Sequence, residues 1–101
     1  VQGLLTGEPM DHQGRFYQFE RGWIRPKPSQ PIPMLIGGRT DKALARAARF
    51  GDGWLAVWCS PQRFAAATAA VDAAAQAAGR PAPRLHGLQV WVGIDDDRDK
   101  A

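Results

Sequence analysis

Two adjacent glycines, Gly37 and Gly38, are the strongest candidates for chemistry in this sequence of 101 residues, because they end a short apolar run and precede a helical pattern. Glycines in such a position bring bare backbone amides close to a ligand, and the following helix directs its positive N-terminus to the same place. The spacing therefore predicts a site for a phosphate or carboxylate group. A glycine pair also fits a plain turn between a strand and a helix, and the residues alone leave both interpretations open.

Further polar residues follow the predicted strands at the same end. Arg39 and Thr40 come directly after the glycine pair, and Thr40 is suited to cap the helix. Ser60 follows the next strand and precedes Pro61, a combination that favours the start of a second helix. Because ligands bind beyond the carboxyl ends of parallel strands, we expect Cys59 and Ser60 to face the same site as the glycines.

Three other polar features have simpler explanations than catalysis or metal binding. His12 lies in a predicted polar turn without an acidic partner at a telling spacing, so we expect it at the surface. The aspartates at 95–97 are typical of a solvated turn, and no metal site is expected there. Asp52 precedes a predicted strand, at the edge opposite the site, where side chains usually serve stability.

The elements that position these residues fall into two stretches. Residues 1–30 predict a helix end, a hairpin that turns at 20–22, and a proline-rich connector. Residues 31–101 predict a strand near 33–36, a helix from Thr40 to Phe50, a strand at 54–58, a helix at 61–78 and a strand at 88–94. Right-handed crossovers would make the three strands parallel neighbours. The predicted hairpin strands contain Phe16, Tyr17 and Phe19 before the turn and Trp23 and Ile24 after it, and the first helix has the apolar face Ala43, Leu44, Ala47, Ala48 and Phe50.

The composition limits the range of partners. With 45% hydrophobic and 23% charged residues, the sequence lacks any apolar run near the roughly 18 residues that a membrane span needs. The net charge of +3 is spread along the chain without a dense basic run, which argues against a nucleic-acid partner. The single cysteine, Cys59, excludes an internal disulfide and suits the cytoplasm. We therefore expect a cytoplasmic protein without nucleic-acid or membrane partners.

The segment PIPMLIGGRTDKALARAARFGDGW, residues 31–54, resembles the bacterial luciferase-like flavin and F420-dependent oxidoreductases. In that family a proline-flanked apolar strand, a glycine pair, an alanine- and arginine-rich helix and a Gly-Asp-Gly-Trp turn occur in this order. Residues 6–9, 12–14 and 16–17 also stand where the family carries its hairpin. The matching residues in the main segment are Gly37, Gly38, Ala43, Leu44, Arg46, Ala47, Ala48, Arg49, Gly51, Asp52, Gly53 and Trp54.

The resemblance implies a fold class and a domain organisation. The family fold is α/β, a (β/α)8 TIM barrel, which typically needs about 250 residues. We therefore interpret residues 1–101 as a C-terminal-half fragment of a single barrel domain, with roughly strands five to seven after a preceding hairpin.

The resemblance also implies an enzyme that binds FMN or F420 and a small organic substrate. FMN implies oxygen activation by a monooxygenase, whereas F420 implies hydride transfer. The proline-, alanine- and arginine-rich composition suits a high-GC bacterium, where F420 enzymes are common, and therefore favours F420. The implied cofactor-binding residues are Gly37, Gly38, Arg39, Thr40 and Ser60, and the catalytic residues are unknown because the family carries them in its N-terminal half. A homodimer is compatible with the family. The alternative is a non-catalytic, truncated barrel segment.

Overall fold

The computed structural model describes residues 1–97 and 99. Two compact units form, Val1–Ile32 and Pro33–Ala101, and each is described by itself. No helix in the described part of the chain is long and apolar enough to cross a membrane.

The first unit contains a short 3-10 helix, Leu4–Thr6, and an antiparallel hairpin. Strand β1, Met10–Gln13, pairs with β2, Gln18–Gly22, and the amide of Gly14 donates to the carbonyl of Tyr17 across the turn, at 2.9 Å. The hairpin was expected, but its predicted position is wrong. Residues 20–22 lie within a strand rather than in the turn.

A β-bulge explains why the pattern at 20–22 is not a turn. The register shifts between Met10 and His12, and Arg21 adopts a positive φ of 50° within β2. The carboxylate of Asp11 accepts a hydrogen bond from the amide of Arg21 at 2.7 Å, which fixes the bulge. His12 lies on β1 and is exposed, as its polar surroundings predicted, although it belongs to a strand and not to a turn.

The second unit is a three-stranded parallel sheet with two helices. Strands β3 (Leu35–Gly37), β4 (Gly53–Val57) and β5 (Gly87–Gln89) lie in the order β3-β4-β5, and α1 (Asp41–Phe50) and α2 (Pro61–Ala77) connect them. The alternation of strand and helix is confirmed, and so is the parallel pairing. The chain therefore has a mixed α/β fold.

Helix α1 begins and ends where the sequence predicts. The hydroxyl of Thr40 accepts the amide of Ala43 at 3.3 Å, and the amide of Gly51 donates to the carbonyl of Ala47 at 2.9 Å. The predicted apolar face is wrong at Phe50, which is 49% exposed and lies beneath the guanidinium of Arg49 at 4.9 Å. Phe50 is the last residue of the helix and is not among the residues of the buried core. The other four residues of that face are buried: Ala43, Leu44, Ala47 and Ala48.

Helix α2 has a side-chain cap at its start and a glycine turn at its end. The hydroxyl of Ser60 accepts the amide of Arg63 at 3.2 Å, and Pro61 occupies the first turn. Gly79 has a φ of 73°, and the amides of Gly79 and Arg80 donate to the last carbonyls of the helix. Only alanine and valine side chains of this helix are fully buried, so the two helices approach the sheet closely. The buried residues are Ala67, Val71 and Ala75.

Strand β5 is shorter than predicted, because the sequence indicated a strand over residues 88–94. Its ladder with β4 ends at the pair Val57 and Gln89, and Trp58 then adopts a positive φ of 52°. Since β4 turns away at that point, residues 90–94 have no neighbouring strand within the described chain. Trp91, Val92 and Ile94 are accordingly exposed.

Asp52 fastens the start of the sheet. One of its carboxylate oxygens accepts the amide of Met34 at 2.8 Å, and its own amide donates to the carbonyl of Met34 at 2.8 Å. The reciprocal pair joins the entries to β3 and β4, at the edge opposite the glycine pair. The structure thus supports a structural role for this residue.

Asp52→Ala is therefore expected to lower the free energy of unfolding by about 1 kcal/mol, the usual net value of one hydrogen bond. Urea denaturation of the protein would measure the change. Asp52→Asn is the matched control, because it keeps an acceptor oxygen and should lose less. A variant that unfolds normally but loses ligand binding at the glycine pair would contradict this role.

Candidate functional site

The carboxyl ends of the three parallel strands meet at one edge of the sheet. The glycine pair follows β3, residues 58–60 follow β4, and residues 90–91 follow β5. In open α/β sheets this edge is where ligands bind. The structure therefore brings the predicted residues from the ends of β3 and β4 to the same edge.

The structure explains the absence of a side chain differently at Gly37 and at Gly38. Ile36 packs against the helix layer, so the alternation of the strand directs the next residue, Gly37, to the opposite face of the sheet. A Cβ atom on Gly37 would meet no other described residue within 4 Å. Gly38 has a φ of 123°, and a Cβ atom there would lie 2.6 Å from the Cβ of Ala43. Gly38 is thus required by the backbone, while Gly37 leaves open space for a ligand.

Trp54 fixes the loop that contains the glycine pair. Its indole nitrogen donates to the carbonyl of Gly38 at 2.7 Å, and its ring stacks on Phe64 of α2 at 5.9 Å between centroids. The side chain is 2% exposed. The hydrogen bond of a buried, well-packed side chain therefore fixes the position of the carbonyl of Gly38.

Two arginines line a cavity of about 210 Å³ at this edge. Arg39 and Arg63 stand beside Trp54, Val57 and Cys59, and none of these five lining residues carries a carboxylate. A side-chain nitrogen of Arg63 donates to the carbonyl of Arg39 at 3.4 Å, which joins the start of α2 to the loop after β3.

The electrostatic character of this cavity is positive. Arg39 precedes α1 and Arg63 lies in the first turn of α2, so each of the two residues is next to a helix N-terminus in the chain. Helix N-termini and guanidinium groups each favour a phosphate or carboxylate. The hydroxyls of Thr40 and Ser60 are already engaged as helix caps, and these two residues are not among those that line the cavity.

A protein-family model matches this chain. The model for luciferase-like monooxygenases covers residues 1–101. The chain belongs to the luciferase-like monooxygenase family. A match over this whole length confirms the family that the segment 31–54 indicated.

Two curated relatives of this luciferase-like chain are described as F420-dependent enzymes. It is 28% identical to an F420-dependent glucose-6-phosphate dehydrogenase of Nakamurella multipartita, over 100% of this chain and 31% of that protein. It is also 28% identical to an F420-dependent hydroxymycolic acid dehydrogenase of Mycobacterium tuberculosis, over 100% of this chain and 28% of that protein. A protein of Mycobacterium tuberculosis described as uncharacterized is 40% identical over 82% of this chain and 28% of its own length.

The luciferase-like chain thus spans less than a third of the length of these curated relatives. Among solved structures, DmoA from Hyphomicrobium sulfonivorans superposes with a TM-score of 0.49 and 22% identity, over 80% of this chain and 17% of that one.

A second cavity at the same edge was not predicted from the sequence. It measures about 270 Å³ and is lined by Trp58, Cys59, Gln89, Val90 and Trp91. The rings of Trp58 and Trp91 meet at an angle of 53°, with 6.5 Å between centroids. The sequence does show that each tryptophan comes after one of two neighbouring strands. Whether the two rings lie close together depends, however, on where those strands end.

A polar cluster at the opposite edge of the sheet was also not predicted from the sequence. His86 accepts the amide of Trp54 on Nδ1 at 3.1 Å, and its Nε2 lies 3.0 Å from a carboxylate oxygen of Asp72. The network assigns the proton to Nε2, which donates to Asp72. Because both ring nitrogens are engaged and the ring lies at the start of β4, this pair holds α2 to the sheet.

The aspartates near the end of the chain form local turns. A carboxylate oxygen of Asp95 accepts the amide of Asp97 at 2.8 Å, and one of Asp97 accepts the amide of Asp99 at 3.1 Å. These contacts are typical of successive turns in which a side chain bonds the backbone two residues on.

Proposed function

We propose that this chain is part of an F420-dependent oxidoreductase that transfers a hydride to or from a small organic substrate. The family and the two F420-dependent relatives support this choice of cofactor. The catalytic residues stay unassigned. The role proposed for the present residues is to bind the phosphate group of the cofactor.

The observation that carries the proposal is the convergence of a glycine cradle and two arginines at one sheet edge. Open space at Gly37 lets a ligand approach the backbone, and Arg39, two residues further on, lines a cavity together with Arg63. This donor set fits a phosphate, because guanidinium groups and helix N-termini both bind anions. Thr40 and Ser60 complete the site by starting the two helices.

Bound F420 would supply hydride transfer, and the described residues would hold and orient it. In this proposal the arginines neutralise the phosphate, and Trp54 keeps the carbonyl of Gly38 in place so that the loop does not have to reorganise on binding. Trp54 is itself held by its buried position and by stacking on the half-buried ring of Phe64. Such preorganisation lowers the cost of binding.

We further propose that the three strands are part of a (β/α)8 barrel, roughly its strands five to seven, and that residues 1–101 belong to one domain. Leu35, Leu55 and Val57 alternate with the residues that face the helices, and they are only half-buried. In a barrel the remaining strands would enclose this face as the interior. The greater length of the relatives is consistent with that arrangement.

A second candidate, an FMN-dependent monooxygenase, is favoured by the description of the family itself. FMN carries a terminal phosphate, so the same residues suit it. The cellular location proposed for either enzyme is the cytoplasm, since the single cysteine, Cys59, is unpaired and fits a reducing compartment.

Titration of the full-length protein with F420 and with FMN, followed by cofactor fluorescence, tests the proposal. We expect F420 to bind more tightly. Tighter binding of FMN would favour the monooxygenase. Failure to bind either cofactor would contradict both candidates and favour a non-catalytic barrel segment.

Arg39→Ala and Arg63→Ala are each expected to weaken binding of the phosphate-bearing cofactor about tenfold, because a charge-assisted hydrogen bond contributes roughly 1.5 kcal/mol. Both effects should shrink at high salt, since screening weakens exposed charge pairs. Arg46→Ala is the matched control, because this arginine is exposed on α1. Equal affinities for all three variants and the parent would exclude the cavity as the phosphate site.

A further inference from the structure

The cavity between the ends of β4 and β5 has a mostly apolar lining, unlike the cavity lined by Arg39 and Arg63. Trp58, Val90 and Trp91 give it apolar walls, and Gln89 supplies the one amide side chain among its lining residues. The two tryptophans are 67% and 75% exposed. Sites for organic ligands typically combine such apolar walls with a few well-placed polar groups.

The geometry of the tryptophans defines what fits between them. Their rings are tilted at 53° with centroids 6.5 Å apart, so they form two sides of a corner rather than a parallel slot. Trp58 is presented by a positive φ of 52°, a conformation uncommon for residues with a side chain. The cavity of about 270 Å³ lies near the lower end of the roughly 300–1,000 Å³ usual for small-molecule sites. A compact ligand is therefore indicated.

The position of this cavity connects it with the cofactor site proposed above. Cys59 lines both cavities, so the apolar corner adjoins the arginine pair. A ligand in the corner would lie beside the cofactor and not in the same place. Because the two cavities have different linings, the cavity with the arginines suits an anionic ligand and the cavity with the tryptophans suits an uncharged one.

We propose that the corner formed by Trp58 and Trp91 binds the substrate, and that the substrate is a compact apolar molecule with a single hydroxyl or carbonyl group that Gln89 orients. This inference rests on the proposed function, because a hydride-transferring enzyme acts on alcohols and carbonyl compounds. The tryptophans and Gln89 are then residues that determine specificity.

Binding of 2-naphthol to the full-length protein, measured by the fluorescence of the naphthol, tests this proposal. Trp58→Ala and Trp91→Ala should each weaken binding roughly threefold to tenfold, the range expected from one lost aromatic contact. Trp23→Ala is the matched control, since Trp23 is 52% exposed and lies in the first unit. Gln89→Leu should reduce the preference for 2-naphthol over naphthalene.

The same variants are titrated with F420 and FMN to separate this proposal from the previous one. Unchanged cofactor affinity together with weakened naphthol binding would support a separate substrate site. Naphthol affinity equal to that of the parent in both Trp58→Ala and Trp91→Ala would overturn it. A parallel loss of cofactor affinity would also overturn it, because the corner would then hold the cofactor. If neither cofactor binds the parent while the naphthol pattern persists, the aromatic site stands and the oxidoreductase function fails.

Discussion

Gly38→Val is expected to impair both folding and cofactor binding, with the largest combined effect of any substitution at the glycine pair. The φ of 123° is unfavourable for a β-branched residue, at a cost of roughly 1–3 kcal/mol. The new Cβ would also press on the Cβ of Ala43 at 2.6 Å, and overpacking typically costs about 1–3 kcal/mol more. A lower melting temperature and weakened F420 binding are the expected measurements.

Gly37→Val separates the two effects of that substitution. Within the described residues a Cβ on Gly37 meets nothing within 4 Å, and valine is favoured in strands, so the melting temperature should fall less than in Gly38→Val. The side chain would occupy the space left for the ligand, and we expect cofactor affinity to fall by about tenfold or more, which corresponds to roughly 1.4 kcal/mol. Normal binding by Gly37→Val would show that the glycine pair is a plain turn.

Trp54→Ala is expected to destabilise the full-length protein by roughly 3–5 kcal/mol, as buried aromatic residues do on truncation. The side chain is 2% exposed and is the largest in a core otherwise built mainly of alanine, so the vacated volume has few large neighbours to fill it. Urea denaturation would measure the loss. A change below about 1 kcal/mol, the size of a typical surface substitution, would contradict this description of the core.

Trp54→Phe is the matched variant, because it keeps most of the ring contact with Phe64 and removes the indole donor. Losing the hydrogen bond to the carbonyl of Gly38 should cost about 1 kcal/mol. Cofactor affinity should fall as well, since the loop is no longer fixed. Unchanged affinity in this variant would show that the loop holds its conformation without the tryptophan.

The elements near the site were predictable because their signals are local. Thr40 and the pair Ser60 and Pro61 mark helix starts, where a hydroxyl accepts the nearby amide whatever the remainder of the fold does. The strands β3 and β4 were predicted within about two residues, because short apolar runs bounded by glycine and proline are typical of buried parallel strands.

The features that the sequence did not show depend on contacts between distant residues. The hairpin was misplaced because the bulge at Arg21 depends on the carboxylate of Asp11. The length of β5 depends on where β4 turns away, at Trp58. The sequence of residues 88–94 does not indicate the point at which the neighbouring strand ends.

The sequence by itself determined the family, the order of strand and helix, and the glycine pair at the end of β3. Only the tertiary structure decided that Arg63 joins Arg39 at one cavity, 24 positions apart in sequence, and that Trp58 and Trp91 form a corner beside it. The physical reason is that backbone preferences act over a few residues. A binding site is made by side chains from separate strands, which are brought together only when the parallel register places their carboxyl ends at one edge.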